Sequence, residues 1–302
     1  MIKPPRLQPG DRVAIVAPAG PVPRERFLEG AKRLADRYAL HYDERIFDKQ
    51  GFLAGDDRAR RDELSRAIAD PSVRAIICAR GGYGLLRIVG GLDPAALARA
   101  PKIIVGFSDV TVLHAFAASA GVASIHGPVV TQLALLPDAD AQALIDLLES
   151  PAPPPPLTGL TVLAPGVGEG PLLGGNLELV SRLCGTPHAL ALDGAVLLLE
   201  EVGERPYRID RALTQLALSG ALAKLRGVVV GELIGCEEKD GAAPSALEVV
   251  AERLGSLGIP VLAGAPIGHG ARNRAVPLGA RVRLDAGAGT VEFLEAAVSQ
   301  AP

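Results

Sequence analysis

The stretch IIVGFSDVTVLHAFAA, residues 103–118, contains the pattern that decides the fold. Residues 103–106 have the length and apolar composition of a buried strand, and 107–109 interrupt them before an apolar, helix-like run at about 110–118. A strand followed directly by a turn and a helix is the repeating unit of largely parallel α/β sheets. The stretch therefore predicts an α/β fold.

The same unit recurs along the chain on both sides of this stretch. Further strands are predicted at Arg12–Ala17, Val73–Ala79, Ala195–Leu199, Gly227–Val230 and Pro260–Ala263. Helices are predicted at Arg24–Tyr38, Asp56–Asp70, Tyr207–Leu218 and Ala246–Leu254, with another opening at Gly175, and a terminal hairpin at Arg281–Leu284 and Thr290–Phe293. We expect an N-terminal, flavodoxin-like domain with a mostly parallel sheet flanked by helices, and a C-terminal α/β domain with a mixed sheet.

The segment SPAPPPP, Ser150 to Pro156, lies almost at the middle of the chain and predicts a domain boundary. Proline fixes φ and cannot continue a helix, so the segment favours an extended conformation. A long surface loop is the alternative. The length of 302 residues suits about two domains. We therefore expect an N-terminal domain at 1–149, a linker at 150–163 and a C-terminal domain at 164–302.

The composition argues against several classes of protein. The chain has 31 Lys and Arg against 34 Asp and Glu, whereas nucleic acids and anionic membranes select a dense basic face. Mean hydropathy is high at +0.27, but no apolar run approaches the ~18 residues that a membrane-spanning helix needs, and the N-terminus lacks a signal-peptide pattern. The three separated cysteines suggest neither a disulfide framework nor a zinc site. We expect a cytoplasmic protein that binds neither nucleic acid nor membrane.

Polar residues follow four of the apolar strands, at the strand ends where ligands collect in open α/β sheets. These places are Arg80-Gly81-Gly82, Ser108-Asp109, Glu200-Glu201 and His269. Each place has a catalytic and a purely structural interpretation.

Ser108 lies on the predicted strand-to-helix turn, two residues after a glycine. A nucleophilic serine needs such a turn, because it exposes the hydroxyl and directs the next backbone N–H towards a developing oxyanion. Serine before a helix is also a favoured N-cap, and Val110 stands where the GxSxG pattern has its second glycine. The local pattern leaves both interpretations open, and the cap is the commoner of the two.

His269 follows a predicted strand between two glycines, where its neutral imidazole can act as the base for a serine. Glu200 ends the strand AVLLL and can orient an imidazolium, while Glu201 should face the opposite side of the strand. A solvated loop histidine and an acidic strand end are the structural alternatives. The chain order Ser, Glu, His is that of a hydrolase triad.

The turn Arg80-Gly81-Gly82-Tyr83-Gly84 is rich in glycine and follows a predicted buried strand. Such a turn can bring backbone N–H groups close to a phosphate or an oxyanion. It matches neither GxGxxG nor GxxxxGK[ST], and a tight connection between a strand and a helix explains it equally well.

Five motifs in this chain order together resemble the LD-carboxypeptidase family of serine peptidases, which also contains the microcin-immunity peptidases. They are ARGGYG at 79–84, GFSD at 106–109, GGNL at 174–177, LEEVGERPYRIDR at 199–211 and GHG at 268–270. The similarity covers essentially the whole chain, from VAIVAPAG at 13–20 to PLGARVRLD at 277–285.

The resemblance implies a two-domain cytoplasmic enzyme with Ser108 as nucleophile, His269 as base and Glu200 as the orienting carboxylate. It places the oxyanion donors at the backbone N–H groups of Asp109 and Gly82, with the neighbouring Gly81 as an alternative to the latter. The first domain would supply the nucleophile and these donors, the second would supply the base and its carboxylate, and the site would be a cleft between the domains. No metal or cofactor is implied.

Family members typically release a terminal D-alanine from cytoplasmic muropeptides during peptidoglycan recycling, and the resemblance suggests a homodimer. Recognition of the free carboxylate of such a muropeptide substrate needs a cation, for which Arg80 and Arg272 are candidates.

Two other functions compete with this one. The microcin-immunity branch cleaves aminoacyl- or peptidyl-adenylate analogues and typically stacks a tryptophan on the adenine. This chain has no tryptophan, which leaves Tyr83, Tyr207 or Phe107 for that role. A bilobal α/β protein that binds a small ligand without chemistry is the alternative from another class.

Overall fold

The computed structural model describes residues 1–238 and 244–300. The strands are β1 (Arg12–Val16), β2 (Ala39–His41), β3 (Ala75–Cys78), β4 (Ile103–Gly106), β5 (Ser124–His126), β6 (Thr161–Ala164), β7 (Val167–Asn176), β8 (Val196–Val202), β9 (Gly227–Ile234), β10 (Val261–Ala263), β11 (Val276–Leu278), β12 (Arg281–Asp285) and β13 (Thr290–Phe293). The helices are α1 (Arg24–Ala35), α2 (Asp57–Ala69), α3 (Leu85–Ile88), α4 (Pro94–Arg99), α5 (Thr111–Ser119), α6 (Val130–Leu133), α7 (Asp138–Glu149), α8 (Leu177–Leu183), α9 (Pro206–Leu218) and α10 (Ala246–Gly255). Short 3₁₀ turns lie at Glu44–Phe47, Val89–Gly91 and Ser108–Val110. None of the helices described is long and apolar enough to cross a membrane.

The strands and helices predicted from the sequence are present with small shifts at their ends, and the α/β class is confirmed. The prediction missed five strands, β2, β5, β6, β7 and β11. It missed β7, the longest strand, because β7 contains four glycines and strands ordinarily avoid glycine. The glycines are needed because neighbouring backbone crowds the strand. A Cβ built on Gly168 would lie 1.8 Å from the carbonyl oxygen of Arg226, and one on Gly174 would lie 2.0 Å from that of Leu198.

The first sheet has the strand order β11-β5-β4-β3-β1-β2, and β1 to β5 pair in parallel. Its core is aliphatic, as the scarcity of aromatic residues requires, with Phe27 as its largest fully buried aromatic side chain. Because β3 and β4 are parallel neighbours, the turns that follow them leave the same edge of the sheet side by side. These are the turns at 80–84 and 107–109.

The second sheet has the order β13-β12-β7-β8-β9-β10-β6. Strands β7 to β10 pair in parallel at its centre, whereas β12, β13 and β6 pair antiparallel towards its edges. This sheet is therefore mixed, as predicted. Glu200 and Glu201 lie near the carboxyl end of β8, and the loop with His269 follows β10.

The chain forms two compact units. One comprises Met1–Ala152, Arg274–Pro277 and the described residues from Ala296 onward, and the other comprises Pro153–Asn273 and Leu278–Glu295. The break after residue 152 lies within the predicted linker at 150–163. The first unit also takes two later segments, because β11 extends its sheet beside β5 and Ser299 pairs with Pro5. Nothing in the sequence of these short segments indicates that they return to the first unit.

Candidate active site

Ser108 has a backbone conformation that side chains rarely adopt. Its φ is 65°, and it is the one non-glycine residue with a positive φ in the described parts of the chain. An L-residue in this left-handed region costs roughly 1–2 kcal/mol. An N-cap, in contrast, has extended backbone, and neither the 3₁₀ turn at 108–110 nor α5 begins with a side-chain cap bond. The cap interpretation is therefore wrong. A strained strand-to-helix turn of this kind is what a nucleophilic serine needs, and that role of Ser108 stays a prediction.

The turn is tight enough to explain its departure from GxSxG. A Cβ built on Gly106 would lie 2.7 Å from Cγ1 of Val110. The valine side chain occupies the space beside the first glycine, so a second glycine is not needed at position 110. Gly106 alone provides the space that this turn needs.

The glycine-rich turn after β3 packs directly against Ser108. A Cβ on Gly81 would lie 2.8 Å from Cβ and 3.1 Å from Oγ of Ser108. The carbonyl oxygen of Gly81 accepts a hydrogen bond from the N–H of Gly20 at 3.0 Å, and Gly82 has a φ of 111°. The predicted donors at Gly82 and Asp109 thus belong to two turns that meet at the serine, and their role as oxyanion donors stays a prediction.

Arg80 fixes the start of this turn. Its Nη1 donates to the carbonyl oxygen of Pro21 at 2.5 Å, and the residue is half-buried. The guanidinium therefore braces the loop after β1 against the turn. Its predicted contact with a substrate carboxylate stays a prediction.

The carboxylate of Asp109 makes a contact that was not predicted, since the prediction concerned only the N–H of this residue. Its Oδ2 accepts a hydrogen bond from the N–H of Leu85 at 2.8 Å. Burial raises the pKa of Asp109 to about 6, although backbone hydrogen bonds and the nearby Arg60 guanidinium favour the charged form. No pattern in the sequence indicates this contact between residues 24 positions apart.

His114, on α5, supports the turn that contains Ser108. Its Nε2 lies 2.9 Å from the carbonyl oxygen of Gly106, and its Nδ1 lies 2.9 Å from Oγ of Ser124. A carbonyl only accepts, so Nε2 carries the proton. Burial lowers the pKa of His114 to about 4, which keeps the ring neutral near pH 7. The sequence shows only a histidine in an apolar helix.

In the second unit, Glu200 and His269 form a hydrogen-bonded pair. Nδ1 of the histidine lies 2.6 Å from Oε2 of the glutamate, which is fully buried, while 17% of the histidine side chain is exposed. An ionised carboxylate can only accept, so Nδ1 carries the proton and Nε2 is the ring nitrogen with acceptor character. A general base with an orienting carboxylate would have this arrangement.

Glycines make room for this pair, and a buried amide holds its loop. A Cβ on Gly268 would lie 2.7 Å from Oε2 of Glu200, and one on Gly231 would lie 3.2 Å from Cβ of Glu200. The side chain of Asn273 is completely buried, and its Oδ1 accepts from the N–H of Gly268 at 3.0 Å. Asn273 was not predicted, since it lies four residues beyond the histidine, outside the GHG motif.

Glu201 faces the opposite side of β8, as predicted. Its carboxylate accepts from Nδ2 of Asn176 and from the N–H of Glu178, both at 2.9 Å. Asn176 in turn caps α8, accepting from the N–H of Leu179 at 3.2 Å. Removal from water raises the pKa of Glu201 to about 7. The second acid of the pair therefore stabilises the start of α8, while the first faces the histidine.

Comparison with known proteins shows the family. Two family models, the LD-carboxypeptidase N-terminal and C-terminal domains, match residues 13–127 and 169–284. The chain belongs to the LD-carboxypeptidase family. It is 35% identical over 308 residues to the "Probable murein peptide carboxypeptidase" of Bacillus subtilis, covering 99% of this chain and 96% of that protein. It is 33% identical over 298 residues to the murein tetrapeptide carboxypeptidase of Pseudomonas aeruginosa, covering 92% and 94%.

The fold of this LD-carboxypeptidase family member is shared by a solved structure of the microcin C7 self immunity protein MccF. The TM-score is 0.90 at 21% identity, over 99% of this chain and all of that one. At this identity the likeness shows the two-domain α/β fold alone. The carboxypeptidases among the sequence relatives confirm the predicted peptidase class.

The predicted site residues of this family member fall into two groups. The first unit brings Ser108 against the turn that contains Gly82 and Arg80, and the second pairs Glu200 with His269. Arg272 is exposed on the histidine loop. Burial raises the pKa of Glu232, which was not predicted as a site residue, and the charge of Arg272 partly opposes this rise. The catalytic roles of these residues stay predictions.

Proposed function

We propose that this protein is a serine carboxypeptidase that hydrolyses the bond between an L-centre and a terminal D-alanine in muropeptides. The observation that carries the proposal is the left-handed backbone of Ser108 at the end of β4, packed against a glycine-rich turn. Relatives named for murein peptides, at 33% and 35% identity over nearly the full chain, support the substrate class.

In the first step His269 removes the proton of Ser108. The serine Oγ attacks the carbonyl carbon of the scissile peptide bond, and the proton moves to Nε2 of the histidine. The oxyanion that forms accepts hydrogen bonds from the backbone N–H groups of Asp109 and Gly82. The carbon–nitrogen bond then breaks, the Nε2 proton passes to the leaving amino group, and D-alanine departs from an acyl-enzyme.

In the second step water replaces the amine. The histidine takes a proton from water, the hydroxide attacks the acyl carbonyl, and the serine leaves with the proton returned from Nε2. Through both steps Glu200 faces the Nδ1–H and stabilises the positive charge on the ring. This mechanism needs only groups of this chain and water.

The proposal also covers recognition of the substrate carboxylate, the oligomeric state and the cellular location. A carboxypeptidase must bind a free carboxylate, and Arg80 and Arg272 are the cations assigned to it, one on the turn beside Ser108 and the other on the histidine loop. The family resemblance supports a homodimer and a role in cytoplasmic peptidoglycan recycling. Sedimentation of the purified protein and fractionation of the source cells test these two parts.

Release of D-alanine from a tetrapeptide that ends in an L-diamino acid and D-alanine tests the function. We expect Ser108→Ala to lower kcat by more than about 10³-fold and to abolish labelling by a serine-directed phosphonate. The exposed Ser72, which bonds only Asp70 in a turn of the same unit, provides the control Ser72→Ala.

Three results would contradict the proposal. Full turnover by Ser108→Ala would remove the nucleophile assignment. Cleavage of an aminoacyl sulfamoyl adenosine with no release of D-alanine would move the substrate to the nucleotide class, and binding of the tetrapeptide without hydrolysis would indicate a ligand-binding protein.

A further inference from the structure

We propose that the carboxylate of Asp109 is a positioning residue, which holds the turn at 80–84 in place beside Ser108 during catalysis. The inference rests on the proposed function, in which the N–H of Gly82 stabilises the oxyanion. It concerns the side chain of Asp109, whereas the family resemblance concerns only its backbone N–H.

The carboxylate joins two turns that leave neighbouring strands. Asp109 is 1% exposed and directly follows the nucleophile in the chain. Its Oδ2 accepts from the N–H of Leu85, the first residue after the glycine-rich turn, at 2.8 Å. A hydrogen bond from a backbone N–H to a buried ionised acceptor is among the stronger kinds. The end of one turn is thereby tied to the start of the other.

The other end of the glycine-rich turn has its own anchor. The carbonyl oxygen of Gly81 accepts from the N–H of Gly20 at 3.0 Å. Gly82 therefore lies between two fixed points, one at Gly81 and one at Leu85. Gly82 has a φ of 111°, which glycine tolerates, and it has no side chain that could restrain it. If the second anchor is lost, its N–H is free to drift from the position of the oxyanion.

A buried guanidinium supports the same segment from α2. A Cβ on Gly84 would lie 2.5 Å from Nη1 of Arg60, whose side chain is almost completely buried. Arg60 donates to the carbonyl oxygen of Pro18 and to Asp57, both at 2.5 Å. The segment of Gly84 and Leu85 is thus held between a cation and the Asp109 carboxylate, which have opposite charges.

A helix cap alone does not explain this arrangement. The helix that begins at Leu85 is a single turn, α3, and its own cap residue Gly84 has no side chain. The acceptor is supplied instead from the residue beside the nucleophile. An oxyanion site stabilises a transition state only when its donors are held in advance, and a displacement of about 1 Å can cost roughly 100-fold in rate.

The test compares Asp109→Ala and Asp109→Asn with Asp93→Ala. Asp93 also accepts one backbone N–H, that of Ala95 at 2.9 Å, but it caps α4 and has no place in the proposed mechanism. For Asp109→Ala we expect kcat for D-alanine release to fall about 100-fold with KM within about threefold. The affinity of a peptide boronic acid, which forms a tetrahedral adduct on the serine, should fall by a similar factor.

The two controls separate position from stability. Asp93→Ala should lower the melting temperature and leave kcat unchanged, whereas Asp109→Asn should recover about tenfold of the lost kcat, since its amide oxygen still accepts from Leu85. A wild-type kcat in Asp109→Ala, with a lower melting temperature and with Ser108→Ala inactive, would overturn the inference alone. Turnover by Ser108→Ala would instead overturn the proposed function and this inference together.

Discussion

The nucleophile region, around the proposed nucleophile Ser108, and the base region, around the proposed base His269, fix these residues in different ways. In the first, the backbone does so: Ser108 has a positive φ, and Gly81 and Gly106 leave no room for a Cβ. In the second, side chains do so, since His269 is oriented by the carboxylate of Glu200 at 2.6 Å. Activity should therefore be sensitive to added side-chain volume in the first region. In the second region it should be sensitive to charge and to the hydrogen-bonding pattern.

The largest effect is expected where charge alone is changed in the base region. Glu200→Gln keeps the volume of the side chain but removes the charge that stabilises the imidazolium, and its amide can favour the wrong tautomer of His269. We expect kcat to fall by roughly 10³–10⁴-fold with little change in KM. Steady-state kinetics on the tetrapeptide measure it.

Glu201→Gln is the matched control, because the next residue on β8 is a glutamate that faces away from the histidine. Its substitution disturbs the start of α8, so the melting temperature should fall while kcat stays within about tenfold of wild type. A larger loss of kcat in Glu201→Gln than in Glu200→Gln would show that the wrong acid has been assigned to the base.

A smaller effect is expected where one methyl group is added to the nucleophile region. In Gly81→Ala the new Cβ would lie 2.8 Å from Cβ of Ser108, so the serine or the turn must shift. We expect kcat to fall by roughly 100-fold, without any change of charge. Labelling by the phosphonate should slow in parallel.

Gly255→Ala provides the same change of residue without a clash, because a Cβ at this position meets no atom within 4 Å. It lies at the end of α10, where alanine is the better helix former, so stability should rise slightly at constant kcat. If Gly81→Ala were as active as Gly255→Ala, the close packing of Gly81 against Ser108 would not limit activity.

The difference between the two regions also explains how much could be predicted from the sequence. Eight of the strands described, their largely parallel pairing and the motifs around Ser108, Glu200 and His269 follow from hydrophobic patterns and short motifs, which are local in the chain. The opposite directions of Glu200 and Glu201 follow from strand geometry and are confirmed.

The missed features depend on contacts or backbone angles that no local pattern contains. Ser108 was assigned more readily to a helix cap, because composition does not reveal a positive φ. Asp109 and Arg60 bond backbone groups of Leu85 and Pro18, which lie 24 and 42 residues away in the chain. Strand β7 was missed because its glycines are required by close contacts with neighbouring backbone, and these contacts exist only in the folded sheet.

The smallest effect on kcat is expected at Glu63, a carboxylate of α2 to which the mechanism gives no role. Its Oε2 accepts from the N–H of Ala17 at 3.1 Å, and desolvation raises its pKa to about 7 from an ordinary 4.5. A raised carboxyl pKa means that the folded state binds the proton more tightly than the unfolded state. Ionisation of Glu63 therefore costs stability, which falls as pH rises from about 4.5 to about 7.

Glu63→Gln keeps an oxygen that can accept from Ala17 and removes the titration. We expect the variant to be close to wild type at pH 4.5 and to exceed it at pH 8 by up to about 3 kcal/mol in the free energy of unfolding, with kcat unchanged. Urea unfolding at the two pH values measures this, and Glu25→Gln, exposed on α1, controls for the loss of one negative charge. An equal gain at both pH values would show that ionisation is not the source. Unchanged kcat would show that burying a carboxylate does not by itself couple it to catalysis, unlike the bond from Glu200 to the histidine.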